Sequence, residues 1–290
     1  MLPLEVRRLV YSELWRASGL RQHVRRCQGP AGSALWAHSP CLADPADSDP
    51  RYAAFTSLRS TPGSDALELR NWETRLKSNA NLHWECDELA GDRHCGTSAF
   101  LPVLMTCKRL YMECAPLLYE SLTFCFTDAL LARDFLSGQP VDRVRSLEIC
   151  IRAKPIILEL YLDPPHGNAS VAGLPVTADN NPWESLCRVL STFTALRYLR
   201  IWFDSEDLRP WHRRVAETRV FARLFQVKAT SFTLDLPDLP ADPRMRGLPG
   251  CYLEGGNLDR APFIVRRGPR PNNWMVHLSR VSALALAMDH

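Results

Sequence analysis

A mixed fold, α+β or α/β, is what this sequence predicts, and three observations predict it. Amphipathic helical segments stand at residues 2–15 and 101–124. Past residue 122, short runs rich in β-formers alternate with helical ones. Three of those runs, RSLEICI, LRYLRIWF and TSFTLDL, resemble one another loosely, as degenerate leucine-rich strands would. Their spacing is irregular, and a solenoid needs about three regular repeats to bury its core. A small sheet layer with βα units is therefore expected rather than a horseshoe.

In the first segment, LPLEVRRLVYSELW, residues Leu2, Val6, Leu9, Val10 and Leu14 recur at three-and-four spacing, with Glu5, Arg7, Arg8 and Glu13 off that stripe. The pattern predicts a helix with one face seeking burial. Pro3 is tolerated at its start, where no intrahelical bond is lost, and Gly19 offers a stop. The second segment predicts a longer helix whose stripe is Leu101, Leu104, Met105, Leu110, Tyr111, Cys114 and Leu118. Pro116 should break it near Cys114, leaving one further turn at Leu117–Tyr119, and Leu122–Phe126 then reads as a short buried strand.

Further along, Val144–Ile151, Ile156–Leu162, Leu196–Phe203 and Ser231–Leu236 read as strands, and Trp183–Phe193 and Trp211–Val227 as helices. Proline-rich, polar stretches at 29–65, 163–182 and 237–250 read as loops, the first of them mobile. The expected organisation is a helical region at 1–140 with a flexible insertion near 29–65, then an α/β region at 141–290 with an irregular tail.

The start, LPLEVRRLVYSEL, resembles the opening of F-box domains, which begin with a Leu-Pro-x-Glu helix. The run LMTCKRLYMECAPLLYESLTF resembles the second half of that domain in a fungal group of F-box-like domains of unknown function, where Thr-Cys-Arg-x-Ile-Tyr precedes Leu-Leu-Tyr and Thr-Phe. Residues 20–27, LRQHVRRC, also look like that group. An ordinary F-box is contiguous, whereas residues 16–100 interrupt this one. The resemblance, over residues 2–150, implies F-box-like helices packed on the sheet. It also implies a face for the Skp-type linker of a cullin-RING ubiquitin ligase, with an unknown client held by the C-terminal part. Leu2, Pro3, Leu4, Val6, Leu9 and Val10, with Cys107 and Leu110 of the second helix, are the expected linker contacts. The same side chains would serve equally as core if the first helix packs its stripe on the 101–119 helix.

Composition agrees with a globular chain: 46% hydrophobic, 23% charged and a formal charge of +3. So small a charge gives little reason to expect nucleic acid or membrane as the main partner. The 10 cysteines are scattered without a Cys-x-x-Cys pair, so Cys107, Cys114, Cys125 and Cys150 read as small buried hydrophobes in a reducing, intracellular compartment, cytoplasmic or nuclear. Glu5, Arg7 and Arg8 interrupt any secretory apolar stretch, and Glu5 and Glu13 are unwelcome in a mitochondrial presequence.

No phosphate loop, nucleophile elbow, H-E-x-x-H or paired-carboxylate motif stands out, which favours a non-enzymatic role without cofactor. His83-Trp-Glu-Cys86 with His94-Cys95 offers zinc-type ligands, but the spacing matches no familiar module, so no metal site is expected. Arginines at 21–26, 213–214 and 266–270, with Trp211 nearby, leave RNA binding as a weaker alternative to an interaction module, and a stand-alone scaffold as the other.

Overall fold

The computed structural model describes residues 3–28, 34–43, 51–61, 63, 65–77, 83–91, 100–161, 170–171, 174–175, 181–206, 211, 215–239 and 258–268. In chain order the N-terminal elements are helix α1 (Leu4–Ala17), strands β1 (Arg21–Gln28) and β2 (Ala34–Pro40), and helices α2 (Arg51–Ser60), α3 (Ala66–Lys77), α4 (Trp84–Gly91), α5 (Leu101–Met105) and α6 (Lys108–Ser121). Then come β3 (Thr123–Phe126), α7 (Ala129–Ser137), β4 (Ser146–Ala153), α8 (Pro155–Glu159), the short pair β5 (Ser170–Val171) and β6 (Leu174–Pro175), and α9 (Pro182–Leu190). The series closes with β7 (Tyr198–Ser205), α10 (Glu217–Val220), β8 (Ser231–Pro237) and β9 (Ile264–Gly268).

Seven strands form one sheet in the order β2-β1-β3-β4-β7-β8-β9, parallel throughout except for the β1–β2 hairpin. From β1 to β9 the spatial order follows the chain order, so each helical connection moves the chain one position across. Strands from both sides of residue 140 share this sheet.

Alternation along the strands sorts the two faces. In register across β3, β4, β7 and β8, Phe124, Leu147, Leu199 and Phe232 form one row, and Phe126, Ile149, Ile201 and Leu234 reinforce it. They share a core with Ala132, Phe135 and Leu136 of α7 and with Trp183, Leu186, Cys187 and Leu190 of α9. Trp183 sits edge-on to Phe203 at 4.8 Å and donates its Nε1–H to the Val220 carbonyl at 2.7 Å, so its polar end is satisfied inside the core. Asp128 and Asn181 start α7 and α9 by accepting from Leu131 N at 2.7 Å and Trp183 N at 2.9 Å.

The opposite face is polar, and it too is covered. Arg21, His23, Cys125, Glu148, Cys150, Arg152 and Arg200 line it, and the helices of the interrupting segment close over it. Arg25 Nη2 donates to the Cys86 carbonyl at 2.8 Å and to Asp87 Oδ1 at 3.0 Å, while Arg152 Nη1 reaches the Leu76 carbonyl at 3.4 Å. These helices keep a small core of their own, Phe55 and Leu76 with Leu69 and Trp72. The Arg75 guanidinium lies over the rings of Trp72 and Trp84 at 4.6 and 4.8 Å.

Several expectations require correction. The 29–65 stretch is not all loop, because β2 and α2 fall within it; β2 gains a full ladder with β1. The strand expected over Ile156–Leu162 is not found among its described residues: Pro155 at the first helical position starts α8 instead, and Leu162 lies outside the described residues. The 101–124 helix breaks at Thr106–Cys107 rather than at Pro116, since the Cys107 side chain caps α6 by accepting from Leu110 N. Pro116 is carried inside α6. Among the described residues, the expected 211–227 helix is reduced to α10 and a 3-10 turn at Ala222–Gln226, and residues 212–214 lie outside them. By contrast, Gly19 does end α1, at φ +86°, and a Cβ there would lie 3.2 Å from Pro40 Cβ. Among the described residues no helix is long and apolar enough to cross a membrane.

Phe203, fully buried between Trp183, Trp211 and Phe221, anchors the apolar layer. Phe203→Ala is expected to lower unfolding free energy by about 3–5 kcal/mol in urea titrations.

Candidate functional site

Helix α1 meets α6 through charge rather than through its aliphatic stripe. Arg7 donates from Nε and Nη2 to Glu113 at 2.9 and 2.8 Å, Tyr11 OH donates to Glu113 Oε2 at 3.2 Å, and Arg109 Nε donates to Glu113 Oε1 at 3.0 Å. Below this cluster Trp15 is buried, edge-on to Phe100 at 5.2 Å. The buried face of α1 is therefore Arg7–Tyr11–Trp15, at helical spacing of four. The described part of its expected buried stripe is turned outward: Val6, Val10 and Leu14 are exposed, Leu9 is 67% exposed, and Leu4 beside them is exposed too. The aromatic pair wins because it reaches the sheet core, and Arg7, read from the pattern as solvent-facing, is held by a bidentate carboxylate.

The predicted contact residues thus separate. Pro3, Leu4, Val6, Leu9, Val10 and Cys107 lie at the surface, Leu110 packs partly against the core, and Leu2 lies outside the described residues. Met105 and Tyr111 leave the expected α5–α6 stripe and are exposed, together with Met112. Cys107 is exposed rather than buried, whereas Cys114, Cys125 and Cys150 are buried free thiols as expected. Cys27 is disulfide-bonded.

A second candidate lies on the polar face of the sheet, where β1, the segment after β2 and the start of α4 converge over β3 and β4. His23, Cys125, Glu148 and Arg200 are register neighbours on four successive strands. Glu148 is buried and accepts from Arg21, with Nε at 3.1 Å and a closer contact from Nη2; Arg200 Nη1 stands 4.0 Å away and His83 Nε2 3.6 Å away. Burial alone would raise its pKa, but His83 and Arg21 outweigh that, and Glu148 stays below the usual carboxylate range.

Above Glu148, Cys41 Sγ lies 3.3 Å from His83 Nδ1, the rings of His23 and His83 meet edge-on at 4.8 Å, and Leu42 N–H donates to Cys86 Sγ at 3.2 Å. Neighbouring thiols Cys125 and Cys86 hold Cys41 far below an ordinary thiol against the cost of its burial. Burial pushes His23 towards the neutral imidazole; for His83 burial acts the same way but is outweighed by Cys150, Cys41 and Cys86. Cys86 is pushed up to about 12, first by Cys41 and then by burial. Two donors of this group, the His83-x-x-Cys86 pair, were visible in sequence; His23 and Cys41 were not, because only the sheet brings them there. His94 and Cys95, the nearer sequence partners, lie outside the described residues.

Four of the arginines singled out as phosphate ligands are paired with acids. Arg21 meets Glu148, Arg25 meets Asp87, Arg26 Nη1 stands 3.7 Å from Asp134, and Arg267 makes a two-pronged pair with Glu217 at 2.7 and 2.8 Å. Trp211 is only 2% exposed and donates to the same Glu217 at 2.6 Å, which places it in the core. Arg213 and Arg214 lie outside the described residues.

The Arg7–Glu113 cluster generates a pH prediction. Hydrogen bonds from Arg7, then Arg109, hold Glu113 down to about 2. A carboxylate depressed on folding stabilises above its unfolded pKa, ~4.3, and that contribution fades as pH falls towards the folded value. Wild type is therefore expected to melt higher than Glu113→Gln at neutral pH, and the gap in melting temperature should close between about pH 4 and pH 2.

A model of the family described as Domain of unknown function (DUF7730) matches residues 1–248. No curated protein and no solved structure matches the chain. The chain belongs to this family of domains of unknown function.

Proposed function

We propose that this chain is a non-enzymatic protein-interaction module of F-box-like character, akin to the fungal F-box-like group, that links a client protein to a cullin-RING ubiquitin ligase through a Skp-type linker. The observation that carries this reading is the exposed aliphatic row of α1: Leu4, Val6, Leu9, Val10 and Leu14 face outward although the interrupting segment is large enough to have covered them. A helix that pairs with its neighbour through an Arg–Glu–Tyr cluster and leaves five aliphatic side chains exposed has a face suited to burial against another protein. Exposed Met105, Tyr111 and Met112 on the adjoining α5–α6 unit add adaptable apolar groups of the kind enriched at interfaces. The pairing of Arg21, Arg25 and Arg267 with acids disfavours the RNA-binding alternative.

Calorimetry of the full chain with a purified Skp-type linker tests the proposal. Saturable one-to-one binding is expected, and Leu9→Asp should weaken it at least about tenfold while circular dichroism stays unchanged, because Leu9 is already at the surface. A folded chain that does not bind the linker would leave the scaffold reading in its place.

A further inference from the structure

We propose that His23, Cys41, His83 and Cys86 are the four ligands of a structural zinc site that fastens the segment interrupting the α1 and α6 helices to the sheet. Two thiols and two imidazoles are the donor set of a closed tetrahedral zinc centre, and each residue contributes one donor atom here within 4.8 Å of all the others. In a tetrahedron with ordinary zinc–sulfur and zinc–nitrogen lengths the donors stand roughly 3.3–3.8 Å apart. The Cys41 Sγ–His83 Nδ1 separation of 3.3 Å already matches such an edge. The widest pair needs to close by at most about 1.0–1.5 Å, a shift within reach of side-chain torsions.

The surroundings are those of a metal site in two further respects. His23 is 2% exposed, and its Nε2 is buried without a hydrogen-bond partner among the described residues, a vacancy that native interiors rarely leave. His83, also 2% exposed, directs Nδ1 to Cys41 while Nε2 lies 3.6 Å from Glu148 Oε1. That places a carboxylate where the outer partner of a carboxylate–histidine–metal relay stands, at ion-pair rather than hydrogen-bond distance, and Arg21 in turn fixes Glu148. The Leu42 N–H to Cys86 Sγ bond orients the second thiol in the same way.

The connectivity says what the ion would do. His83-x-x-Cys86 has the short spacing of one half of many zinc sites, at the entrance to α4. The other half is split between β1 and the end of the β1–β2 hairpin. Binding would therefore cross-link the sheet edge to α4, closing a loop of more than forty residues that contains α2 and α3. His83 is also grouped with Glu148 and Cys150. A site built on those three would leave both Cys41 and Cys86 dispensable, so the two arrangements are separable by substitution.

The full chain should be purified and its metal content measured, then stripped and titrated with zinc and with cobalt(II) against a chromophoric chelator. One zinc per chain is expected, with cobalt giving intense tetrahedral ligand-field bands and a thiolate charge-transfer band. Cys41→Ser and Cys86→Ser should each weaken zinc binding at least about 100-fold, and Cys150→Ser should leave it intact. Removing zinc should lower the melting temperature of the wild type. A folded wild-type chain that takes up no zinc at micromolar free metal would overturn the proposal. So would zinc retained by both Cys41→Ser and Cys86→Ser, or lost in a folded Cys150→Ser. Because the wild-type titration stands alone, a serine variant that fails to fold does not protect the proposal.

Discussion

A carboxylate buried in the middle of a parallel sheet is the constraint from which much of this structure follows. Glu148 cannot be left unpaired there, since an isolated buried charge costs several kcal/mol. Its partners arrive from three directions: Arg21 from β1, Arg200 from β7 and His83 from the turn before α4. Parallel sheets are ordinarily covered by apolar helices on both faces. Here one face obeys that rule, and the other is polar, so its cover must supply hydrogen bonds as well as bulk. Backbone carbonyls at the helix ends do so, with Cys86 O taking Arg25 and Leu76 O taking Arg152.

The same arrangement explains the free face of α1. Among the described residues, the helices between α1 and α5 are committed to the polar side of the sheet rather than to the aliphatic row of α1. Tyr11 and Trp15 secure that helix from below, and Glu113 secures it laterally. A helix fixed in this way can present Val6, Leu9 and Val10 to a partner without depending on that partner for its own place. Rigid presentation of an apolar row lowers the ordering cost of binding.

Much of the sheet was legible in the sequence because its strands alternate cleanly. Leu147, Ile149 and Ile151 against Glu148, Cys150 and Arg152 announce a strand with two different faces, and the loose likeness of β4, β7 and β8 reflects their register in space. The polar face itself was not legible as a site. His23, Cys41 and the His83–Cys86 pair are separated by 18 and 42 residues and converge only when β1 lies beside β3 and α4 crosses above them. Helix α1 shows a different limit. Its aliphatic periodicity is genuine, but periodicity counts apolar residues without knowing that Tyr11 and Trp15 reach further into the core than Leu9 or Val10. Local competition accounts for other misses: a proline at the first turn made Pro155–Glu159 a helix where a strand was expected, and a cysteine cap moved the helix break to residue 107.

Hydrogen–deuterium exchange of the full chain, wild type beside Glu148→Ala, tests most directly whether the interrupting segment is held to the sheet through this carboxylate. The account predicts that α3 and α4 are protected in the wild type and that the substitution releases α4 and β1 while β7, β8 and α9 keep their protection. Fast exchange of α4 in the wild type, or α4 protection untouched by Glu148→Ala, would contradict it.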